Sequence, residues 1–556
     1  MRKFFQKHGF ALLGIFFISF VLLLPFFFHP YIENDDTWFH LMNIGLIKNM
    51  IQENFWSGLF GKILPFVGNG LGYGTRLFYP PLAHTLGAYL SYGLEFLHLD
   101  ILTSLKIFHF LILFGSGLTM YYSSYFFHRS RKLAFFSSVI YMASSYHMCE
   151  IYVRDSLGES LLFIFLPLIF VSISALLQNK KKIFYICFVL GYVGGILSHF
   201  TMMIYVTLIL GASMLFYYKK VFRKEFLVPF LKACVIVLLL TAFFFEPMFE
   251  HKLFGHYMVY KDWYMSWGIW HTTLWGIEYF IDLSKNFVSY RFSLVVLGMM
   301  GYVLFKKRHE ICSEKYLLIT VFLGISFLMS IRLFFPWLFL PYLFFMIQFG
   351  WRLVLFVVFG VALLSPLALQ SCKNRVVFLG IILCVIVSGM MLPSNERPDL
   401  DLNRINYAAI MGWQQEYLPE KIGANEENKI YFENRNQDIL IHGDGEVQVF
   451  SNHVPNMVFE INTDSEVEIE FPRIFYFGYV LRSEDGRIIP VYENEHGLVT
   501  AIVDSGTYEL RFDGSFGYRI CLGISILTFC FLLVFGFFSI FRSRFQKISK
   551  VGGEIV

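Results

Sequence analysis

The strongest constraint on this chain is a succession of apolar runs, each about 16–26 residues long and nearly free of charge, between residues 9 and 541. Roughly 20 such residues reach across the hydrocarbon of a bilayer. Lipid offers no water to backbone N–H and C=O groups, so each run must close its hydrogen bonds within itself, as a helix. Basic clusters punctuate the runs: Arg2-Lys3…Lys7, Arg129…Arg131-Lys132, Lys180-Lys181-Lys182, Lys219-Lys220…Arg223-Lys224, Lys306-Lys307-Arg308, Lys373…Arg375 and Arg542…Arg544…Lys547. Basic loops are retained on the cytoplasmic side. With every cluster placed there, two helices fit between each successive pair, which predicts 12 spans and two cytoplasmic termini. They fall near 9–29, 103–127, 133–148, 158–178, 183–199, 201–218, 227–248, 288–305, 316–333, 350–370, 376–393 and 516–541. Charged residues make up 15% of the chain, against roughly 25% in soluble domains. A disordered chain and a soluble enzyme are both disfavoured. The basic residues form small groups rather than a continuous patch, so nucleic acid is not an expected partner.

One stretch departs from this pattern. Ser394 to Ser515 contains 23 acidic and 9 basic residues, a water-soluble insert in a basic body. Glu466 to Phe471 alternates with a period of two, and Val499–Val503 and Tyr508–Phe512 are similar. Asp504-Ser505-Gly506 and Glu484-Asp485-Gly486 mark turns. A small β-sandwich is expected. The span count also leaves Pro80–His98 outside the bilayer. Leu82, Leu86, Leu90, Leu94 and Leu97 recur there at helical spacing, with His84, Ser91, Glu95 and His98 as a polar stripe. That pattern suits an amphipathic helix lying in the interface. Leu41–Phe55 reads similarly, with Lys48, Asn49, Gln52 and Glu53 as its wet side. An outer loop at about 249–287 carries Trp263, Trp267, Trp270 and Trp275, residues that favour the headgroup level. Phe334–Phe349, broken by Pro336 and Pro341, is expected to lie outside or re-enter. The cysteines form no CxxC pair, so neither a disulfide framework nor a thiolate metal site is expected.

The polar residues that could carry chemistry all fall on the outer side. The densest cluster is Glu33-Asn34-Asp35-Asp36-Thr37-Trp38-Phe39-His40. Adjacent carboxylates beside a membrane need water, a cation or a substrate. In a helix starting here, Asp36 and His40 are neighbours at i, i+4, so the pair could work as a general base. Equally, Asp35 or Asp36 could simply cap the helix. A second cluster, Glu150 to Glu159, offers Arg154 as a phosphate clamp, with Asp155 and Glu159 at i, i+4. A solvated loop with internal ion pairs is its alternative. Isolated polar residues at outer helix ends are Ser198-His199, Glu246, Arg332 and Trp351-Arg352. Gly68-Asn69-Gly70-Leu71-Gly72-Tyr73-Gly74 lacks GK[ST] and follows no strand, so it reads as a hinge.

Several motifs carry a family resemblance. Asp36-Thr37-Trp38-Phe39-His40-Leu41 resembles the D-T-x-F-H motif of bacterial membrane proteins described as 6-pyruvoyl-tetrahydropterin synthase-related, which are similar to the YfhO group. Gly72-Tyr73-Gly74 with Phe78-Tyr79-Pro80-Pro81-Leu82 resembles the same family, as do Tyr152-Val153-Arg154…Leu157-Gly158-Glu159, Leu197-Ser198-His199, Gln348-Phe349-Gly350-Trp351-Arg352 and Glu416-Tyr417-Leu418-Pro419. Gly350 and Arg76 depart from its pattern. The architecture resembles the GT-C superfamily of glycosyltransferases.

The resemblance implies a polytopic α-helical protein of the bacterial cell membrane. Its GT-C-like domain would cover 1–393, with juxtamembrane helices at about 36–98. An extracytoplasmic β-rich domain over 394–515 would come next, then a last span and basic cytoplasmic tail over 516–556. It further implies transfer of a sugar from an undecaprenyl-phosphate donor to a cell-wall polymer, glycolipid or protein. Asp36, with Asp35 and His40, would be catalytic. Arg154, Arg352 and Arg332 would hold the donor phosphate, and Glu159, Asp155, His199, Tyr79 and Glu246 the acceptor. No cofactor is expected, and a divalent metal is left open. Lipid and a donor-synthesising glycosyltransferase would be further partners. Two other readings are a lipid-linked glycan flippase and a non-catalytic scaffold that binds wall polymers.

Overall fold

The computed structural model describes residues 2–65, 70–260, 292–331, 350–390, 415–423 and 425–552. Arg332, the Trp-rich segment from 261 onward, Phe334–Phe349 and Gly68-Asn69 lie outside the described residues. The principal helices are α1 (Arg2–Leu22), α2 (Thr37–Glu53), α3 (Leu82–Glu95), α4 (Ile101–His128), α5 (Arg131–Met142), α6 (Leu157–Leu177), α7 (Lys181–Ser198), α8 (Phe200–Met214), α9 (Lys224–Phe254), α10 (Leu294–Lys306), α11 (Leu317–Ser330), α12 (Val354–Leu364), α13 (Arg375–Met390), α14 (Glu426–Asn434) and α15 (Phe516–Gly552). Among the described residues, seven helices are long and apolar enough to cross a membrane: α4, α6, α7, Phe200–Val221, α9, Gly350–Leu369 and α15. Shorter apolar helices occupy His8–Leu22, Leu294–Lys306, Leu317–Ser330 and Arg375–Val387. Large apolar side chains such as Leu527, Phe531 and Phe305 stand out from the protein surface. Exposed apolar side chains on helices of that length suit lipid.

Two expected spans are shorter than their apolar runs. The first helix ends at Leu22, and Leu24–Phe28 forms a separate short helix with Pro25 at its start. The run at 133–148 is a 12-residue helix, α5, that breaks at Ala143-Ser144 before a short helix at Ser145–Cys149 and a π-helix at Glu150–Arg154. Ser144 ends the apolar run by capping the Ser145–Cys149 helix, its hydroxyl accepting from the His147 N–H.

Two compact units are present, 1–229 with 257–418, and 230–256 with 419–556. In the first, α6 is central and packs against α4 and α7. Pro167 lies inside α6. Proline has no N–H for the carbonyl four residues earlier, and the Tyr141 hydroxyl donates to that Phe163 carbonyl at 3.1 Å instead.

The two stretches expected beside the membrane are helices, α2 and α3, and α3 keeps only the later part of its expected wet face, with Glu95 exposed. His84 and Ser91 are buried, with Ala83, Gly87 and Ala88, while Leu86 is exposed. The small residues let α3 approach α2 closely. A Cβ on Gly87 would lie 2.7 Å from Ile44 Cδ1. The first half of the polar stripe therefore faces protein, while Glu95 stays exposed, paired with Lys48 and Gln52. On α2, Asn49, Gln52 and Glu53 are exposed as expected.

In the second unit, two antiparallel sheets enclose one core. One runs β1 (Leu440–His442), β4 (Val467–Ile474), β8 (Leu498–Val503), β7 (Val491–Glu493). The other runs β2 (Glu446–His453), β3 (Asn456–Asn462), β9 (Gly506–Phe512), β5 (Tyr479–Ser483), β6 (Ile488–Ile489). Ile469, Phe471 and Val499 from the first sheet meet Phe459, Leu481 and Leu510 from the second. Asp504-Ser505 carries the chain from one sheet to the other. Gly486, at φ +86°, turns the β5–β6 hairpin. The helical part of this unit joins α9 to α15: the Ser525 hydroxyl donates to the Leu239 carbonyl at 2.8 Å and accepts from the Phe243 N–H at 3.3 Å.

Tyr141→Phe should leave the Phe163 carbonyl buried without a donor. It should cost about 1–3 kcal/mol, read as a lower midpoint of thermal unfolding in detergent.

Candidate functional site

A carboxylate withdrawn from water must be met by donors, and Glu159 is fully buried in the first turn of α6. Four segments supply them. Arg154 Nη1 donates to its Oε1 at 3.0 Å, and Arg352 Nε donates to the same oxygen at 2.8 Å. The Tyr146 hydroxyl donates to Oε2 at 3.1 Å. His199 Nε2 stands 3.8 Å from Oε1. His199 is the N-cap of α8, and its Nδ1 accepts the Met202 N–H at 3.3 Å. That bond assigns the ring proton to Nε2, the nitrogen facing Glu159. Arg154 Nη1 also donates to both oxygens of Glu150, at 2.8 and 2.9 Å. Burial raises the Glu150 carboxyl above its ordinary range, Arg154 draws it back, and the charge on Glu159 raises it again.

Asp36 joins this group from the other loop, its Oδ2 3.9 Å from Arg154 Nη2. It occupies the N-cap position of α2, yet its side chain makes no capping bond. Backbone and neighbours hold it there. The Asp36 N–H donates to the Arg154 carbonyl at 2.9 Å, and the Asp35 N–H to the Val153 carbonyl at 3.5 Å. Thr37 Oγ1 donates to Asp155 Oδ2 at 2.6 Å while accepting the Asn34 N–H at 3.0 Å. Asp155 stands at φ +57° at the end of the π-helix, a helix type frequent at functional sites. It also bonds the Tyr31 hydroxyl at 2.9 Å and His109 Nε2 at 2.8 Å. The Asp36 side chain keeps 41% of its surface open. Protein nonetheless surrounds it at longer range. That loss of bulk water raises its carboxyl above the ordinary value, Arg154 and Arg352 lower it, and Glu159 and Asp155 push it up again.

His40 is a neighbour of Asp36 along the helix, but its ring turns elsewhere. Nε2 accepts the Leu157 N–H at 3.3 Å and Nδ1 meets His84 Nε2 at 2.8 Å. Burial holds His40 down to about 4, so it is neutral at pH 7. The His84 ring stacks on Tyr79 at 5.1 Å, and Phe39 meets Tyr79 edge-on at 5.0 Å. Gly158 is demanded by close approach: a Cβ there would lie 2.7 Å from the Ser198 carbonyl oxygen and 3.1 Å from the Tyr79 hydroxyl.

Asp36, Arg154, Glu159, Arg352 and His199 thus converge, with Asp155, His40 and Tyr79 around them. Asp35 is exposed. Glu246 belongs to the second unit, where Ser515 Oγ lies 3.3 Å from its Oε1. Arg332 is outside the described residues. Sequence reasoning placed Thr37 and Glu150 in the two candidate clusters without a role, and did not pick out Tyr146, Tyr31, His84 or His109 as site residues. For His109 a signal existed, an ionisable residue inside an apolar run. Among the described residues, no three His, Cys, Asp or Glu side chains gather as a metal site. An open carboxylate beside two anchored guanidiniums can take a proton from a hydroxyl and stabilise an anion formed next to it. No family model matches this chain, and no curated protein matches it.

Glu159→Ala should strand two buried guanidiniums. Loss of one partner from a buried ion pair costs about 3–5 kcal/mol, so the unfolding midpoint in detergent should fall by several degrees. Glu159→Gln keeps the acceptor oxygen and should lose less.

Proposed function

We propose that this protein is a bacterial membrane glycosyltransferase of GT-C type, related to the YfhO-like family that its motifs resemble. It would transfer a sugar from an undecaprenyl-phosphate donor to an extracytoplasmic wall polymer, glycolipid or protein. The carrying observation is Asp36, a helix-start carboxylate that caps nothing, is partly open and lies beside Arg154. The finer topology belongs to the same proposal: 12 spans, cytoplasmic termini, and Asp36 and the sandwich outside.

In this reading Asp36 takes the proton from the acceptor hydroxyl as its oxygen bonds to the anomeric carbon. The carbon–oxygen bond to the lipid phosphate breaks, and the phosphate keeps the electron pair. One base suffices for such a displacement, which inverts the anomeric carbon. Arg352 and Arg154 supply positive charge for the departing phosphate, with orientation set in advance by Glu159 and Glu150. Arg is suited to this because its planar fork stays charged at any working pH.

Asp36 must be ionised to accept the proton. Its carboxyl is raised, so transfer should be level at high pH and fall as pH drops through a value above the ordinary carboxylate range. Asp36→Asn should lower transfer by about 10²-fold or more and abolish that acid limb, measured as release of undecaprenyl phosphate from purified protein. Full transfer by Asp36→Asn would end the proposal.

Orientation is tested separately. Ser465 and Asn179 are both exposed on the protein. A cysteine at Ser465 should react with an impermeant reagent in intact cells, and one at Asn179 only after lysis.

A further inference from the structure

Helix α6 carries Glu159 in its first turn and Ser174 in its last. Fifteen residues separate them, about 22 Å of helix, so the two lie toward opposite ends of a span. Around Ser174 is a cavity of about 410 Å³ between the ends of α4, α6 and α11, a size found in small-molecule sites of roughly 300–1,000 Å³. Phe126, Phe127, Tyr217 and Leu318 give it an apolar wall, and Arg129 and Lys315 stand at it.

The cations here rest on rings. Arg129 lies 5.4 Å and Lys180 4.9 Å from the Phe126 ring centre, and Lys315 lies 4.7 Å from that of Tyr316. Among the described residues, none of the three is within ion-pair distance of a carboxylate. The acid lining the cavity, Glu314, is already paired with Lys220. Burial lowers the Lys315 ammonium; Glu310 opposes this and Arg129 adds to it.

A structural role explains only part of this concentration of charge. Arg129 caps the C-terminus of α4 and Lys180 lies just past that of α6, where cations offset the exposed carbonyls. Lys315 precedes the N-terminus of α11, and Arg129 and Lys180 also stand at those of α5 and α7. A cation is unfavourable there, and an anion is favoured.

We propose that this cavity binds the phosphate headgroup of an anionic phospholipid from the cytoplasmic leaflet, with Arg129 and Lys315 engaging the phosphate and the apolar wall taking the first carbons of the chains. Basic pockets between membrane helices on the cytoplasmic side take such headgroups. This inference rests on the cytoplasmic placement of the basic loops and not on the transferase reading, and the labelling at Asn179 checks that placement independently.

The test uses delipidated full-length protein in detergent, titrated with phosphatidylglycerol, phosphatidylcholine or water-soluble glycerol phosphate. Bound lipid is counted by native mass spectrometry. Phosphatidylglycerol should be retained about tenfold more tightly than phosphatidylcholine, and glycerol phosphate should not compete at equal concentration. Arg129→Gln with Lys315→Gln should remove the preference while the protein stays folded, its unfolding midpoint in phosphatidylcholine lower by at most about a few degrees through the lost helix-end charge. Equal retention of the two lipids by wild type would overturn the proposal without any variant. So would an undiminished preference in the double variant. Displacement of phosphatidylglycerol by glycerol phosphate would assign the site to soluble phosphates and reject the lipid.

Discussion

The architecture of the first unit turns on the charge of Glu159. A carboxylate at zero exposure is tolerated only if its lone pairs are met. Tyr146, Arg154, His199 and Arg352 meet them from four places in the chain. Each of those segments is short and irregular: a five-residue helix, a π-helix, the junction of α7 with α8, and a 3₁₀ turn at Gly350–Leu353. None has the length to hold a position through its own backbone hydrogen bonds. The buried charge recruits them, and apolar packing of α6 against α4 and α7 supplies the frame on which it acts.

This arrangement also explains why one acid stands apart from the others. Asp155 is occupied by Tyr31, Thr37 and His109. Glu150 is bonded through both oxygens to Arg154. Glu159 is enclosed by its own donors. Those three maintain geometry. Asp36 has the partial opening and the longest approach to a cation, 3.9 Å. A group meant for chemistry must keep lone pairs available, and the supporting groups must be oriented before substrate arrives. The structural carboxylates orient the guanidiniums, and Asp36 inherits the resulting field.

Local patterns made much of this legible. Apolar length and basic punctuation located α4, α6 and α7 to within two residues at each end, and the starts of α9 and α15 to within three, because lipid leaves helix as the accessible form. Strict alternation located β4, β8 and β9. Long-range pairing was not legible. Asp36 with Arg154, Glu159 with Arg352 and His40 with His84 join residues 118, 193 and 44 positions apart, and no local period encodes them. The inward turn of His84 and Ser91 on α3 has another cause. A hydrophobic stripe marks a contrast between two faces, and does not say whether the apolar face meets protein or lipid. Against α2 the small residues Ala83, Gly87 and Ala88 decided the contact, so His84 and Ser91 went inward, where His84 finds His40, and Glu95 stayed exposed.

The position of Asp36 also sets aside a capping role for its side chain. A capping carboxylate accepts the N–H two or three residues on, which occupies its lone pairs and fixes it in the folded state. Here Thr37 Oγ1 accepts the Asn34 N–H and donates to Asp155, while the backbone of Asp35 and Asp36 pairs with Val153 and Arg154. The start of α2 is therefore anchored without the Asp36 side chain. At φ −103° and ψ 4°, Asp36 also lies outside the extended conformation usual for a capping residue. The carboxylate keeps the favourable field at the start of a helix and the nearby guanidinium, while burial works against its ionisation. Burial prevails among these opposed influences, and the Asp36 carboxyl lies above its ordinary value.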